Sequence, residues 1–516
     1  MLGTVDRQGS LLGVDSLLEK LFEGDESSFY AKLATHGDAI ISDGDFADCY
    51  ADGWGRPSIP PSLLMKTVLL QLRDDVSDRE AARRAAKDLD WKRALGLDAD
   101  DIPFHHTTLS VFRSRLLVND ADERVLRSTI ERAVEAGLFG KKVLAIVDST
   151  GVMGAAAVAD TFTLLRQAMT RLGDAAGDRL VKRLRRTINR LCRNKVRIDW
   201  ADPGARRAHL GELVGLGRAL LDATAGEEDL AEARELLARV IDQDVDTDPP
   251  DGSGPQIRQG VAKDRVCSVV DPEMRHGRKT VSQRVDGYKS HVVTDHGTEL
   301  VLGVRVTPAN RPDGPEAAPL VGDAKAAGVP VREVLGDAAY GDGDTRETVE
   351  QTGATVTAKT PPPSPTGRFT KDDFTIDPDV PSATCPAGHT TTATGIVRDH
   401  KGRRVTELKF ADEVCARCPL RPACTTSAHG RRIKLNFHEA RLQAARAAQH
   451  RAATRRKLRR RALIERKFGE GKRHGMGKAR YRGTRKVLLQ QRLIAGVLNV
   501  KRLFTLDVDL GALQGG

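Results

Sequence analysis

Two short stretches, each closing on an aspartate, most narrow what this chain can fold into. They are Lys141-Lys-Val-Leu-Ala-Ile-Val-Asp148-Ser-Thr150 and Val331-Arg-Glu-Val-Leu-Gly-Asp337-Ala-Ala-Tyr340. An apolar run of about five residues bounded by polar ones reads as a buried strand. Between them, Val285 to Val293 and Glu299 to Val306 read as a hairpin turning at Thr294-Asp-His-Gly-Thr298, and Pro315 to Ala327 reads as an alanine-rich helix. The order strand, strand, strand, helix, strand predicts an α/β fold with a mixed sheet. Ala354 to Lys359 adds a fifth, edge strand. Taken alone, Asp148 reads as a loop or cap residue. If the first and fourth strands are parallel neighbours, however, Asp148 and Asp337 meet at their ends, where a carboxylate is aimed into a cleft. Asp342 and Asp344, in Gly341-Asp-Gly-Asp344, read as turn residues.

Upstream of these strands the pattern is helical. Residues 11 to 35 carry apolar side chains at helical spacing, and Gly53-Trp-Gly-Arg-Pro57 breaks the pattern. Pro60-Pro61 opens an apolar helix running to Gln71. Ser77-Asp-Arg-Glu80 is a capping-box pattern opening a helix from Glu80 to Leu89, and a further helix starting near Thr107 or Thr108 carries Leu109, Phe112 and Leu116. Such a module suits DNA binding, dimerisation, or neither. Between the first strand and the hairpin lie a hundred mostly helical residues. Val181 to Lys195 places Leu184, Ile188 and Leu191 on one face and cations on the others. That helix suits either a DNA contact or a solvated face. A second helix runs from Glu227 to about Ile241, and Asp246 to Pro255 is a linker.

The C-terminal region is strongly basic. Sixteen of the 36 residues from Arg451 to Lys486 are Lys or Arg, and only Glu465 and Glu470 are acidic. Arg461, Glu465 and Lys472 are spaced so that about 100° per residue brings them to one helix face. Gly469, Gly471 and Gly475 weaken the later turns. A carboxylate between two cations makes sense if it holds a metal ion while the cations hold phosphates; the plainer reading is a surface ion pair.

The net charge of +11 over 516 residues, clustered as it is, favours nucleic acid over a membrane surface as partner. A chain of this length holds two to four domains. With no signal peptide and no run of 18 apolar residues, the expected location is cytoplasmic, on the nucleoid, with no membrane. Seven cysteines make no disulfide framework. Cys385, Cys415, Cys418 and Cys424 fall within 40 residues, behind a linker at Pro361 to Pro365. Cys385-Pro-Ala-Gly-His389 and Cys415-Ala-Arg-Cys418 suit tetrahedral structural Zn2+, with His389 as the alternative fourth ligand. The other reading is a remnant without metal.

Asp-Ser-Thr at 148, Asp286-Gly-Tyr-Lys289, Thr307-Pro-Ala-Asn310, Gly-Asp-Ala-Ala-Tyr at 336 to 340 and Ile-Glu-Arg-Lys-Phe-Gly at 464 to 469 together resemble a bacterial insertion-sequence transposase of the DDE type. Gly-Arg-Pro-Ser-Ile-Pro-Pro at 55 to 61 and Ser-Asp-Arg-Glu at 77 to 80 resemble the helical N-terminal domain of the same family. The resemblance spans about residues 30 to 505. It implies a ribonuclease H-like core in which Asp148, Asp337 and Glu465 hold two Mg2+ (or Mn2+) ions, with Asp148 bridging them. Arg461 and Lys472 become phosphate contacts. The family's third motif, Tyr-x2-Arg-x3-Glu-x6-Lys, is met at Arg461, Glu465 and Lys472, but Leu458 stands at its tyrosine. Tyr481 does not fill that position by spacing.

The implied activity is metal-dependent DNA cleavage and strand transfer at the ends of an insertion sequence. Its partners are terminal inverted repeats and target DNA, bound by a homodimer or higher oligomer. The alternatives are a non-catalytic DNA-binding protein and a ribonuclease H-like nuclease without strand transfer. The expected layout is a helical N-terminal domain over 1–125, a catalytic core over 140–154 and 261–360, a helical insertion over 155–260, a Cys-rich insertion over 361–440 and basic C-terminal helices over 441–505.

Overall fold

The computed structural model describes residues 1–4, 22–51, 56–250, 252–278, 284–360 and 368–506. The helical spacing read over 11–21, most of the break at 53–57 and the linker at 361–365 lie outside them. The centre is a six-stranded mixed sheet: β1 (Val143–Met153), β4 (Arg275–Arg278), β5 (Arg284–Asp295), β6 (Val301–Pro308), β7 (Val331–Leu335) and β8 (Thr355–Thr357). A two-residue ribbon, β2 (Val245–Asp246) with β3 (Gln256–Ile257), lies apart from it. The strand order is β4-β5-β1-β7-β8, with β6 also paired to β5. β5 runs antiparallel to β1, β4 and β6, whereas β7 is parallel to β1 and β8 parallel to β7. Three antiparallel strands followed by two parallel ones, flanked by helices, make the ribonuclease H-like arrangement. β1 continues five residues past Asp148, so that aspartate sits within a strand, not at its end. The strand extends because β5 is long enough to pair it as far as Met153, opposite Gly287.

The N-terminal region is all helical. α1 (Phe29–Ile40), α2 (Pro61–Arg73), α3 (Asp78–Lys87), α4 (Leu89–Leu95), α5 (Thr107–Val118) and α6 (Arg124–Glu135) follow in order. Pro61 occupies the first turn of α2, where its missing N–H has no intrahelical partner to lose. α3 starts at Asp78, directly after the Ser77 cap, and ends at Lys87, so it lies two residues earlier than the expected range from Glu80 to Leu89. Ser77 Oγ accepts from the Glu80 N–H at 3.2 Å, while the Glu80 carboxylate turns to Arg83 and Arg84 and leaves the box half formed. Leu109, Phe112 and Leu116 of α5 are buried as the pattern requires.

After β1 come α7 (Thr161–Ala176), α8 (Lys182–Ile188), α9 (Pro203–Ala223) and α10 (Ala231–Asp244). They close over a hydrophobic core of their own. α11 (Ala317–Ala326) links β6 to β7, and α12 (Gly343–Gln351) follows Asp337. Beyond them stand two small three-stranded sheets. The first contains β9 (Thr375–Asp377), β10 (Ser382–Thr384) and β11 (Thr390–Thr391). The second contains β12 (Thr394–Arg398), β13 (Arg404–Lys409) and β14 (Arg432–Lys434). The short helices α13 (Asp412–Ala416) and α14 (Arg421–Cys424) lie between β13 and β14. The chain ends through α15 (Glu439–Gln449), α16 (Ala452–Arg459), α17 (Ala462–Arg473) and α18 (Thr484–Thr505).

α18 ties the molecule together. Leu493, Ile494, Val497, Leu498 and Val500 are all buried, in the same hydrophobic core that holds α2, α6 and the sheet. Each such side chain contributes roughly 2 kcal/mol. Gly496 lets the helix approach α6, since a Cβ there would stand 3.1 Å from Val125. Asn499, fully buried, accepts from the Val301 N–H at 2.7 Å and donates to the Val301 carbonyl at 2.8 Å and to Thr129 Oγ1 at 3.0 Å. Its amide substitutes for a neighbouring strand at the start of β6. Asn499→Ala is expected to strand both backbone groups of Val301 and to cost about 3 kcal/mol, measurable by equilibrium unfolding. Among the described residues no helix is long and apolar enough to cross a membrane.

Candidate active site

The register of the sheet sets the site. β1 and β7 pair in parallel as far as Ile146 and Leu335. Asp148 and Asp337 each lie two residues further on, so the two-residue side-chain period keeps Asp148 on the face of its paired Ile146 and brings Asp337 alongside as β7 ends. Asp148 is 8 % exposed. One of its oxygens accepts from the Ser149 N–H at 2.8 Å, and the other accepts from Arg461 Nη2 at 2.8 Å. Burial raises its pKa above the usual carboxylate range; the Ser149 N–H and the Arg461 cation oppose this, and the Asp337 charge adds to it. Asp337 caps the short turn Ala338–Tyr340, accepting from the Ala339 N–H at 2.8 Å.

α17 is held at both ends against β1. Arg461, just before the helix, reaches Asp148, and beyond it Met153 exchanges backbone hydrogen bonds with Gly477 and Ala479 at 3.0 and 2.8 Å. The helix continues through Gly469 and Gly471 to Arg473, so Arg461, Glu465 and Lys472 share one flank. Gly471 has a packing reason, since a Cβ there would stand 2.7 Å from Met476 Sδ. Glu465 is exposed, one turn beyond Arg461, and makes no hydrogen bond or ion pair among the described residues. The surface ion pair that would explain a lone carboxylate in a basic helix is therefore not formed. Among the described residues no group of three or more His, Cys, Asp or Glu side chains is assembled to hold a metal ion. The Arg461 guanidinium neutralises Asp148.

Several polar groups behind the two aspartates carry motif residues to which the sequence assigned no role. Tyr340 is fully buried with its hydroxyl unpartnered, and burial raises its pKa well above the ordinary value, as do the charges of Asp313, Asp148 and Asp337. Lys289 pairs with Asp313 at 2.8 Å. His291 bonds Thr307 Oγ1 at 2.8 Å, and burial lowers its pKa to about 4, so it is neutral at pH 7. The motifs Asp286-Gly-Tyr-Lys289 and Gly-Asp-Ala-Ala-Tyr340 were the available signal for Lys289 and Tyr340; His291 carried none.

Asp342 and Asp344 do different work from the site pair. Asp342 caps α12 through the N–H groups of Asp344 and Thr345, both at 3.1 Å. Asp344 is more than a turn residue: it pairs with Arg403 at 2.6 Å, with Lys401, and with His438 at 2.8 Å. Leu458 is half-buried on α16, and Tyr481 packs near Arg113 of the N-terminal helices, 5.9 Å from its guanidinium.

The two basic helices differ in what their charge does. On α8 and the turn after it, Arg185, Arg190 and Arg193 pair with Asp178, Glu212 and Asp174 inside the insertion. Around α16, Arg451, Arg455, Arg456, Arg459 and Arg460 are all exposed, without an ion pair among the described residues. Such an arginine row, leading up to Arg461, is a surface suited to a phosphate backbone. Cys385, Cys415, Cys418 and Cys424 form no disulfide, and together with His389 they line one small cavity.

Two family models match the chain. One, described as a Transposase DDE domain, matches residues 384–504 and so includes Glu465, Arg461 and Lys472. The other, described as a Transposase domain (DUF772), matches residues 17–115, the N-terminal helices. Asp148 and Asp337 lie outside both matches, and it is the sheet that places them. No curated protein and no solved structure matches the chain. With both ends matched to transposase models around a ribonuclease H-like sheet, the chain belongs to the DDE-type transposases and carries an N-terminal transposase domain.

Proposed function

We propose that the protein cuts DNA at the ends of an insertion sequence and joins the freed 3′-hydroxyl to target DNA, using Asp148, Asp337 and Glu465. The observation that carries this reading is the parallel β1–β7 pairing, which sets Asp148 beside Asp337 while Arg461, one turn before Glu465, reaches the same carboxylate. Three carboxylates are hard oxygen donors of the kind Mg2+ or Mn2+ takes, and thiol or imidazole groups are not needed. A cation already sits on Asp148 in the form of a guanidinium, so the donor set fits a positive guest. When bound, two divalent ions would supply activation of the attacking oxygen and stabilisation of the leaving one.

The chain's own residues do the rest. Asp148 and Asp337 hold their positions through the Ser149 and Ala339 N–H groups. Glu465, unpaired and exposed, is available to complete the acidic set from the helix side. With Asp148 holding a cation, Arg461 would be free to turn to a DNA phosphate, which it can grip bidentately, with Lys472 further along the flank. The row from Arg451 to Arg460 carries the adjoining backbone. Because transposition pairs two ends, the active form is a dimer or higher oligomer on DNA.

The test is incubation of the purified chain with DNA bearing the element's own ends. Mg2+-dependent nicking and covalently joined products are expected. Nicking without joined products would favour a nuclease lacking strand transfer, and binding without nicking would favour a DNA-binding protein without chemistry.

A further inference from the structure

Residues 368–436 fold as two three-stranded sheets whose strands are only two to six residues long. Their buried hydrophobic core consists of Phe374, Ala383, Leu408, Phe410, Ile433 and Leu435. For a segment of roughly 70 residues this is too little apolar burial to hold two sheets together, and small scaffolds of that size rely on a disulfide or a metal. No disulfide joins these cysteines.

The cysteines stand where such a staple is needed. Cys385 directly follows β10 of the first sheet, whereas Cys415, Cys418 and Cys424 come from the connection between β13 and β14 of the second. All four line one cavity of about 30 Å³, room for an ion and not for an organic ligand. The backbone around them is turned as a sulfur-ligand loop requires. At the first loop the Gly388 N–H donates to the Cys385 carbonyl and the Cys385 N–H to the His389 carbonyl, both at 2.8 Å, with Gly388 at φ +83°. At the second, the Cys418 N–H donates to the Cys415 carbonyl at 3.3 Å, and the Arg431 N–H already donates to Cys415 Sγ at 3.4 Å.

Charge points the same way. Arg421 and Arg431 line the cavity, and Arg431 Nε is buried with no acceptor. One divalent ion with four thiolates carries a net charge of −2, which two guanidinium groups would offset. We propose that Cys385, Cys415, Cys418 and Cys424 bind one structural Zn2+ ion that staples the two small sheets together. Among the described residues the cysteines do not form an assembled metal-binding group, so binding would draw them in to the Zn–S distance of about 2.3 Å. The staple also supports the site, because Arg403 and Lys401 of the second sheet clamp Asp344 on α12, the helix that follows Asp337.

The experiment is metal analysis of the full-length chain purified from zinc-supplemented medium, read together with thiol titration. About one zinc per chain is expected, released on modification of four thiols by a mercurial and detected with a metallochromic dye. Cys415→Ser/Cys418→Ser is expected to lose the zinc, while Cys192→Ser, in the helical insertion, and His389→Ala retain it. Less than about 0.2 zinc per chain in the wild-type protein overturns the proposal, whatever the variants do. Neither result depends on DNA cleavage, so failure here leaves the transposase reading untouched.

Discussion

Glu465→Gln is expected to abolish DNA strand cleavage, by at least about a thousandfold, while DNA binding and thermal stability stay at wild-type values. The loss corresponds to about 4 kcal/mol of transition-state stabilisation. The lack of any other effect follows from the surroundings of this side chain. It is exposed and has no hydrogen-bond or ion-pair partner among the described residues, so its replacement by an isosteric amide removes none of their contacts. Surface changes of that kind stay within about 0.5 kcal/mol. Removing a negative charge from a basic helix also favours a polyanion, so affinity for DNA holds or tightens. A nicking assay beside a mobility-shift titration reads both quantities. Cleavage at the wild-type rate would sink the assignment; loss of binding in parallel with cleavage would move Glu465 from chemistry to DNA contact.

Asp148→Asn should lose cleavage to a similar extent and yet melt at the same temperature or higher. Asp148 is buried, and the burial raises its pKa. A carboxyl group whose folded pKa lies above its unfolded value favours folding while protonated and loses that contribution as pH rises through the folded pKa. Above the folded pKa the wild-type protein has lost it. Asparagine resembles the neutral acid at every pH, and its single carbonyl oxygen can keep one of the two contacts, the Ser149 N–H or Arg461, which the carboxylate serves with separate oxygens. The variant's advantage should therefore shrink as pH falls through the raised folded pKa, the change being complete below about 4, where an unperturbed aspartate titrates. Thermal melts across pH, paired with the nicking assay, check this. A large stability loss at pH 7 would mean that Asp148 is held mainly as the structural partner of Arg461.

How much of this was legible varies with the range of the interaction involved. Proline at the start of α2, Ser77 ahead of α3 and the apolar spacing of α5 are local signals, and those helices form where local chemistry puts them. The order of elements that makes the mixed sheet was legible because apolar runs and turn residues alternate so clearly from 141 to 359. Less legible were features that depend on a distant partner. β1 passes Asp148 because β5 is there to pair it. Ser77 forms half a capping box because Arg83 and Arg84 compete for Glu80. Asp344 looks like a turn residue until Arg403, Lys401 and His438 converge on it from 57 to 94 residues downstream.

The same division runs through the candidate site. The chain alone determined which carboxylates stood out, because strand-terminal apolar runs and a lone glutamate in an arginine-rich helix are patterns of neighbouring residues. It also determined the basic character of the C-terminal helices. Only the tertiary structure decided that β1 and β7 are parallel neighbours, since strand pairing is a contact between segments almost two hundred residues apart and leaves no trace in either. Only the tertiary structure put Arg461 on Asp148, left Glu465 without a partner among the described residues, and set Cys385 around one cavity with three cysteines from the β13–β14 connection. Charge pairing and thiol grouping depend on distance in space, which local sequence pattern does not encode.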